Sequence, residues 1–302
     1  MKKIVFIIAL CTIIGCKNST SESGKINVVT TTSMITDLVQ NIGGDLIEVN
    51  GLMGAGVDPH LYKASEGDVS KLYNADIIFY NGLHLEGKLV EVFEKMNLKD
   101  KHTIALGEFL DTKQLIGSEY FASNYDPHVW FNIQFFKEFA SQVTKVLTKK
   151  DPKNAEQFIE NEKVYIKKLE VLEKEISITI DKLPEEKRIL VTAHDAFNYF
   201  GKEYGFQVVG LQGLSTATEA GVQDVQKLSA FIIENKVKSI FIETSVPQRT
   251  IEALQAAVNS KGHEVIIGGS LFSDALGNAG TIEGTYIGMF QYNVNTIVNA
   301  LQ

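Results

Sequence analysis

Between Pro152 and Pro184 the chain contains neither proline nor glycine, and Leu169, Leu172, Ile176, Ile180 and Leu183 recur through this stretch at helical spacing. Pro152 stands in the first-turn position that favours helix entry, and Pro184 stops the run. A single helix from Pro152 to Leu183 would reach about 48 Å at ~1.5 Å per residue. That is too long for an ordinary crossover helix. The segment is therefore expected to be a spine joining two lobes, the alternative being two helices broken near Glu170.

On both sides of the spine, short apolar runs alternate with helical patterns. Before it come strands at Ile26–Thr30, Leu46–Met53, Ile77–Tyr80 and His102–Leu106. Helices are expected at Met34–Ile42, Ser65–Tyr73 and Leu89–Met96. Ser65 with Asp68 three residues on has the form of a helix cap. Phe135, Phe139, Val143 and Val146 then form one apolar helix stripe that Asp151-Pro152 ends. After the spine, strands at Ile189–Thr192, Val208–Leu211, Ser239–Ile242 and Val265–Ile267 alternate with helices at Ala196–Tyr204, Val222–Glu234, Thr250–Val258 and Tyr286–Leu301. Such alternation implies crossover units and parallel sheets. The expected fold is α/β: one lobe over residues 25–150, a spine over 151–184 and a second lobe over 185–302, each lobe with its own core.

The first residues read as an address. Lys2 and Lys3 precede an uncharged apolar run, Ile4–Ile14, too short for a bilayer that needs about 20 residues. The run ends in Ile13-Ile14-Gly15-Cys16, which has the form of a bacterial lipobox; residues 1–15 are then a signal peptide and Cys16 the lipidated residue. The small polar segment that follows, to Gly24, reads as a tether. Of the two cysteines, Cys11 would be removed and Cys16 acylated, leaving no thiol in the mature chain. A metal site would then rest on His, Asp and Glu. A formal net charge of −8 argues against binding to nucleic acid or to anionic lipid by charge.

The chain has six histidines and five prolines, yet Asp-Pro-His occurs twice, as Asp58-Pro59-His60 and Asp126-Pro127-His128. Proline presets the backbone and pushes the preceding residue to an extended form, so each turn can aim its histidine. Each aspartate is a candidate acceptor for a histidine ring N–H. His60 follows the second strand, His128 the fourth, His194 the strand ending at Thr192, and Asp274 the last strand. All four thus lie beyond the carboxyl ends of strands, where open α/β sheets place ligands. His194 could instead cap the following helix, and Glu243, at another strand end, competes with Asp274. His84 is expected to start a helix, while His102 and His263 read as surface residues.

Six motifs carry a resemblance to a known family. They are Gly56-Val57-Asp58-Pro59-His60, Asn81-Gly82-Leu83-His84-Leu85-Glu86, Asp126-Pro127-His128-Val129-Trp130, Val191-Thr192-Ala193-His194-Asp195-Ala196-Phe197, Gly213-Leu214-Ser215-Thr216 and Phe272-Ser273-Asp274. Together they resemble solute-binding protein family 9, the TroA-like receptors of zinc and manganese ABC importers. The resemblance implies two α/β lobes on a rigid helix and a cation held by His60, His128, His194 and Asp274. It also implies a monomeric, extracytoplasmic lipoprotein, in a periplasm or at a cell surface. Its partners would be a membrane permease and ATPase, with membrane lipid reached through Cys16. Relatives that favour manganese often carry Glu at the third ligand position, whereas this chain has His194. Zinc-dedicated relatives often carry a His-rich loop before the second Asp-Pro-His, whereas Asp111–Tyr125 has no histidine. The two departures point to Zn²⁺ and Mn²⁺ respectively.

Three classes of function compete. A transport receptor needs a closed cation site. A metal hydrolase keeps an open water position and needs a neighbouring acid or base, for which Glu243 is the candidate. A surface adhesin, a label that some relatives carry, gives the metal site no purpose. The receptor, not an enzyme, accounts for most of the motifs.

Overall fold

The computed structural model describes residues 24–97, 102–119 and 121–302. The expected signal segment, Cys16 and the tether as far as residue 23 lie outside the described residues. Among the described residues no helix is long and apolar enough to cross a membrane.

The first half alternates as expected. β1 (Ile26–Thr30), α1 (Ser33–Gly43), β2 (Ile47–Gly51), α2 (Glu66–Asn74), β3 (Ile77–Tyr80), α3 (Val90–Asn97) and β4 (His102–Ala105) give a four-stranded parallel sheet in the order β2-β1-β3-β4. Ser65 and Asp68 form a reciprocal capping box at the start of α2. Then come α4 (Ile133–Lys150) and α5 (Ala155–Ile180), separated by a tight turn at Pro152–Asn154. α5 is one uninterrupted helix of 26 residues, so the alternative break near Glu170 does not occur.

The second half comprises β5 (Ile189–His194), α6 (Asn198–Tyr204), β6 (Gln207–Gln212), α7 (Val222–Glu234), β7 (Ser239–Glu243), α8 (Arg249–Asn259), β8 (Ile266–Leu271) and α9 (Tyr286–Leu301). β5 pairs with β6 and β7 with β8, both in parallel, and β5 runs beside β7.

Several boundaries differ from the sequence reading, most of them by one to three residues. β5 continues past Thr192 to His194, which sits opposite Gln212 in the ladder, and α6 starts only at Asn198. His194 is therefore a strand residue and not a helix cap. β8 runs through Gly268 and Gly269, where the apolar pattern stops at Ile267. The glycines are there because α9 lies directly on the strand. A Cβ at Gly268 would meet Ala300 Cβ at 2.6 Å, and one at Gly269 would meet Thr296 Cγ2 at 2.6 Å.

The core is more shared than expected. One continuous apolar cluster takes Val28, Leu38 and Phe79 from the first sheet and its helices. It runs through Phe136, Phe139, Leu169 and Leu172 of α4 and α5, and reaches Leu190, Phe241, Met289 and Val298. Only the outer sheet faces have private cores: Val29, Leu72, Ile78 and Phe93 on one side, and Val191, Ile232, Ile240 and Leu254 on the other. Strand alternation divides the two kinds of core, since Val28 and Val29 point to opposite faces, as do Leu190 and Val191. A shared core couples the lobes. Unfolding of the chain is expected to be a single calorimetric transition, and Leu172→Ala, which empties a fully buried site on α5, is expected to cost about 3 kcal/mol without splitting it. Two resolved transitions would show that the lobes unfold independently.

Candidate metal centre

Four strand ends meet in one buried cluster. His60 comes from the loop after β2 and His128 from the connection after β4. His194 ends β5, and Asp274 follows β8. One ligand-type atom from each lies within 4.8 Å of the others, and all four side chains are buried. His60 Nε2 is 3.3 Å from His128 Nε2 and 3.7 Å from Asp274 Oδ2. Asp274 Oδ1 is 3.7 Å from His128 Nε2, and Asp274 Oδ2 is 3.2 Å from His194 Nε2. A tetrahedral ion with bonds of about 2.0–2.1 Å holds its ligand atoms roughly 3.3 Å apart, and these four distances lie near that edge length.

The donors are aimed from behind. Asp126 Oδ1 accepts the ring Nδ1–H of His128 at 2.7 Å and its backbone N–H at 2.9 Å. Glu243 does the same for His194, with Oε2 at 2.6 Å from Nδ1 and Oε1 at 2.9 Å from the backbone nitrogen. Fixing the proton on Nδ1 leaves the Nε2 lone pair directed at the cluster and raises its basicity. Asp58 plays a different part from that expected of it. It accepts the backbone N–H of His60 at 2.8 Å, so it shapes the turn and leaves the ring proton alone. Trp130 Nε1–H donates to the Ser273 carbonyl at 3.0 Å, fixing the loop that presents Asp274, while its ring meets the His128 ring edge-on.

Glu243 is thus a support for His194 and not a rival of Asp274. Both of its oxygens are engaged by His194. By contrast, His194 Nε2 and both oxygens of Asp274 are buried and, among the described residues, make no hydrogen bond; the 3.2 Å approach of His194 to Asp274 lacks hydrogen-bond alignment. Unpartnered buried polar atoms are costly, and several turned toward one point are suited to a cation.

The electrostatics are uneven. Burial pushes His60 down to about 3, with the neighbouring rings of His128 and His194 adding to the effect against the pull of Asp274. Its ring is neutral at any ordinary pH. Burial also opposes a charge on His194, but Asp274 and Glu243 outweigh it and hold the imidazole well above its usual range. For Asp274, burial favours the neutral acid, yet the ring of His194 and then those of His128 and His60 keep the carboxyl below its usual range.

The other histidines stand apart. His84 does not start a helix; it follows Gly82 and Leu83 in a left-handed turn, with φ of 50° at Leu83 and 63° at His84, and α3 begins later at Val90. His102 is an exposed first residue of β4. His263 is half-buried, and its Nε2 is 2.8 Å from the Val237 carbonyl, so it is more tied down than a surface residue. Residue-type reasoning passed over Glu86. This buried carboxylate accepts from the Thr31 hydroxyl at 2.7 Å and from the backbone N–H groups of Asn81 and Gly82, holding the left-handed turn. Asn81 in turn donates to the Pro127 carbonyl at 3.0 Å, just before His128. The motif Asn81–Glu86 carried the signal, but nothing in its composition says where the turn docks.

Removing Glu243 leaves the backbone N–H and ring Nδ1 of His194 buried without a partner. Glu243→Ala is therefore expected to lower folding stability by about 3 kcal/mol, while Glu243→Gln, which retains an acceptor, loses less. Chemical denaturation of the two variants measures this, and equal stability of Glu243→Ala and the parent chain would contradict it.

Comparison with known proteins shows the family. Residues 28–300 match the family model described as zinc-uptake complex component A, periplasmic. The chain is 47% identical over 287 residues to the zinc-binding protein TroA of Treponema pallidum, covering 95% of this chain and 92% of that one. It is 46% identical over 293 residues to the manganese-binding lipoprotein MntA of Bacillus subtilis, covering 95% and 94%. The solved structure of the periplasmic zinc-binding protein TroA from Treponema pallidum superposes with a TM-score of 0.89 at 48% identity, covering 92% of this chain and 99% of that one. With the match running through both sheets, α5 and all four clustered residues, the chain belongs to the family of the zinc-uptake complex component A.

Proposed function

We propose that this chain is the extracytoplasmic receptor of an ABC importer, which captures a divalent transition metal, zinc or manganese, and passes it to a membrane permease driven by an ATPase. The ligands are His60, His128, His194 and Asp274. The lobes are residues 25–150 and 185–302 on the spine of 151–184, and acylated Cys16 ties the receptor to the membrane. The observation that carries the reading is the buried convergence of three imidazoles and a carboxylate, backed by Asp126 and Glu243, with both Asp274 oxygens turned inward and making no hydrogen bond among the described residues. The names of the relatives, zinc-binding in one case and manganese-binding in another, support the same cargo class.

The arrangement favours a receptor over a hydrolase. A catalytic zinc has three protein ligands and one open position. Here four donors are available, and Glu243, the candidate acid or base, has both oxygens committed to His194. The ion is cargo: it enters, exchanges its water for imidazole and carboxylate, and leaves unchanged.

Each ligand is expected to be needed. His60→Ala, His128→Ala, His194→Ala and Asp274→Ala should lose the rise in melting temperature that metal gives the parent chain. His84→Ala, His102→Ala and His263→Ala should keep it. Thermal shifts with zinc and with manganese check this, and retained stabilisation in any of the first four removes that residue from the shell.

A mostly nitrogen shell suits zinc, which also stands well above manganese in the general affinity order. Manganese prefers oxygen, which this shell supplies only if Asp274 binds through both of its oxygens. Metal-free protein is therefore expected to bind zinc more tightly than manganese at equal free concentration. The sign of the pH effect follows from His194. Asp274 and Glu243 favour a second proton on its ring, one that the cation must displace, so affinity rises with pH and falls on acidification. The fall should be about tenfold per pH unit for each proton displaced. His60, already neutral above about 3, contributes nothing to that slope in the working range. Competition between the two metals at neutral and mildly acidic pH tests both points. Manganese displacing zinc, or an affinity that does not change with pH, would contradict them.

A further inference from the structure

The four clustered residues are not equally anchored. Asp126, behind His128, accepts from Asn198 Nδ2 at 3.0 Å, and its carbonyl accepts from the Tyr199 hydroxyl at 3.0 Å. Both partners belong to the second half, so His128 is fixed across the cleft. His194 and Glu243 sit in neighbouring strands. The Asp274 loop is tied back to the first half by Trp130 and by the Leu276 N–H, which donates to Ser33 Oγ at 2.8 Å. These three form a platform that spans the joint.

His60 rides on a loop of another kind. Leu52 and Met53 still extend the sheet through bonds to the Thr30 and Thr31 carbonyls. The chain then leaves the sheet and is secured again at Tyr62 and Ser65 by Asp68. Between these points Gly56 takes a left-handed φ of 69° and comes close enough to the far side that a Cβ would meet the Thr244 carbonyl at 3.3 Å. Leu61, next to His60, is 48% exposed, so this loop forms the outer wall of the cluster. Among the described residues its hydrogen-bonded tie across the cleft is the Asp58 carboxylate. Asp58 Oδ1 accepts the His60 N–H at 2.8 Å, and Asp58 Oδ2 accepts the Thr216 hydroxyl at 2.5 Å. Thr216 is 8% exposed, while Ala217, Thr218 and Glu219 after it are exposed, so the hydroxyl is the point at which that loop is tucked in.

We infer that the Thr216 hydroxyl latches the His60 loop across the cleft, and so sets how fast a bound cation leaves. The inference rests on the metal-receptor reading above. A cation held by the platform and by His60 is released when the loop swings out, and the swing requires the Thr216–Asp58 bond to break. Thr216 touches neither the ion nor a ligand ring in this scheme; it acts through Asp58, as a positioning residue. Removing the hydroxyl leaves Asp58 Oδ1 on the His60 N–H, so the turn and the four ligands survive.

The test uses the chain with its metal removed and reloaded, with zinc and manganese as separate probes. Release is timed by mixing loaded protein with an excess of a chelating dye. Thr216→Val is expected to release metal about tenfold faster, the loss of one hydrogen bond to a charged group, with an association rate within about twofold of the parent. The melting temperature of the metal-free protein should fall by no more than the loss of one hydrogen bond, roughly 2–4 °C, and Thr216→Ser should restore slow release. Release from Thr216→Val within about twofold of the parent overturns the latch. So does faster release accompanied by slower association and a metal-free melting temperature lowered by well over about 4 °C, which would mark general loosening. Failure of Thr216→Ser to restore slow release also overturns it. If the parent chain itself binds neither metal, the receptor reading falls and the latch with it; a parent that binds while Thr216→Val releases normally sinks the latch alone.

Discussion

The packing of α5 against α1, α4 and α9 is the constraint on which the rest depends. Four atoms from residues that end or follow strands in three sheets meet within 4.8 Å, which requires the two halves to be held at a fixed angle and distance. The helix supplies that frame because Leu169, Leu172 and Ile176 enter a core that already contains residues from both halves. A close-packed core resists shear, since sliding would open voids that cost contacts on every side. Buried polar ties reinforce the joint. Asp37 on α1 accepts the Tyr286 N–H at the start of α9 at 3.0 Å, and burial holds its carboxyl above the usual range. A frame of this kind resists sliding of one half past the other, which fits the proposed release through the His60 loop.

The site is built by the same logic at smaller scale. Bringing three imidazoles together in a dry pocket would be unfavourable if each could take a proton. Burial keeps His60 neutral, while carboxylates on two sides of His194 hold its imidazole above the usual range. Asp126 and Glu243 do double duty, each binding both the ring and the backbone N–H of one histidine. Such two-point attachment fixes the ring plane as well as the proton position, and a histidine that does not reorient can bind an ion with little loss of entropy. The unpartnered Nε2 and carboxylate oxygens are a strain on the fold that a cation would relieve.

Much of this could be read in the chain. Alternation of apolar runs located every strand, and the stripe between Pro152 and Pro184 located the long helix, because both follow from backbone periods of 2 and 3.6 residues that the sequence must obey. The repeated Asp-Pro-His pointed to His60 and His128, and strand-end position added His194 and Asp274. The reading failed where a partner distant in sequence decides the outcome. β8 continues through Gly268-Gly269 because α9 leaves no room for side chains there, and nothing local says so. The Asn81–Glu86 turn is left-handed because Glu86 is buried beneath it and Thr31 lies within reach.

The sequence by itself determined the α/β alternation, the rigid helix and the identities of the candidate donors, since these depend on local spacing, on proline and glycine, and on side-chain chemistry. Tertiary structure decided how those parts divide their work. It joined the two halves through one large shared core and left each a smaller private one, because inner strand faces from both halves pack on the same helices. It placed Asp126 behind a ring and Asp58 behind a backbone N–H, although the tripeptides are identical. It turned Glu243 from a candidate ligand into a support for His194. In each case the physical reason is the same: a hydrogen bond or a packing contact is a relation between groups far apart along the chain, and its geometry exists only once the fold has brought them together.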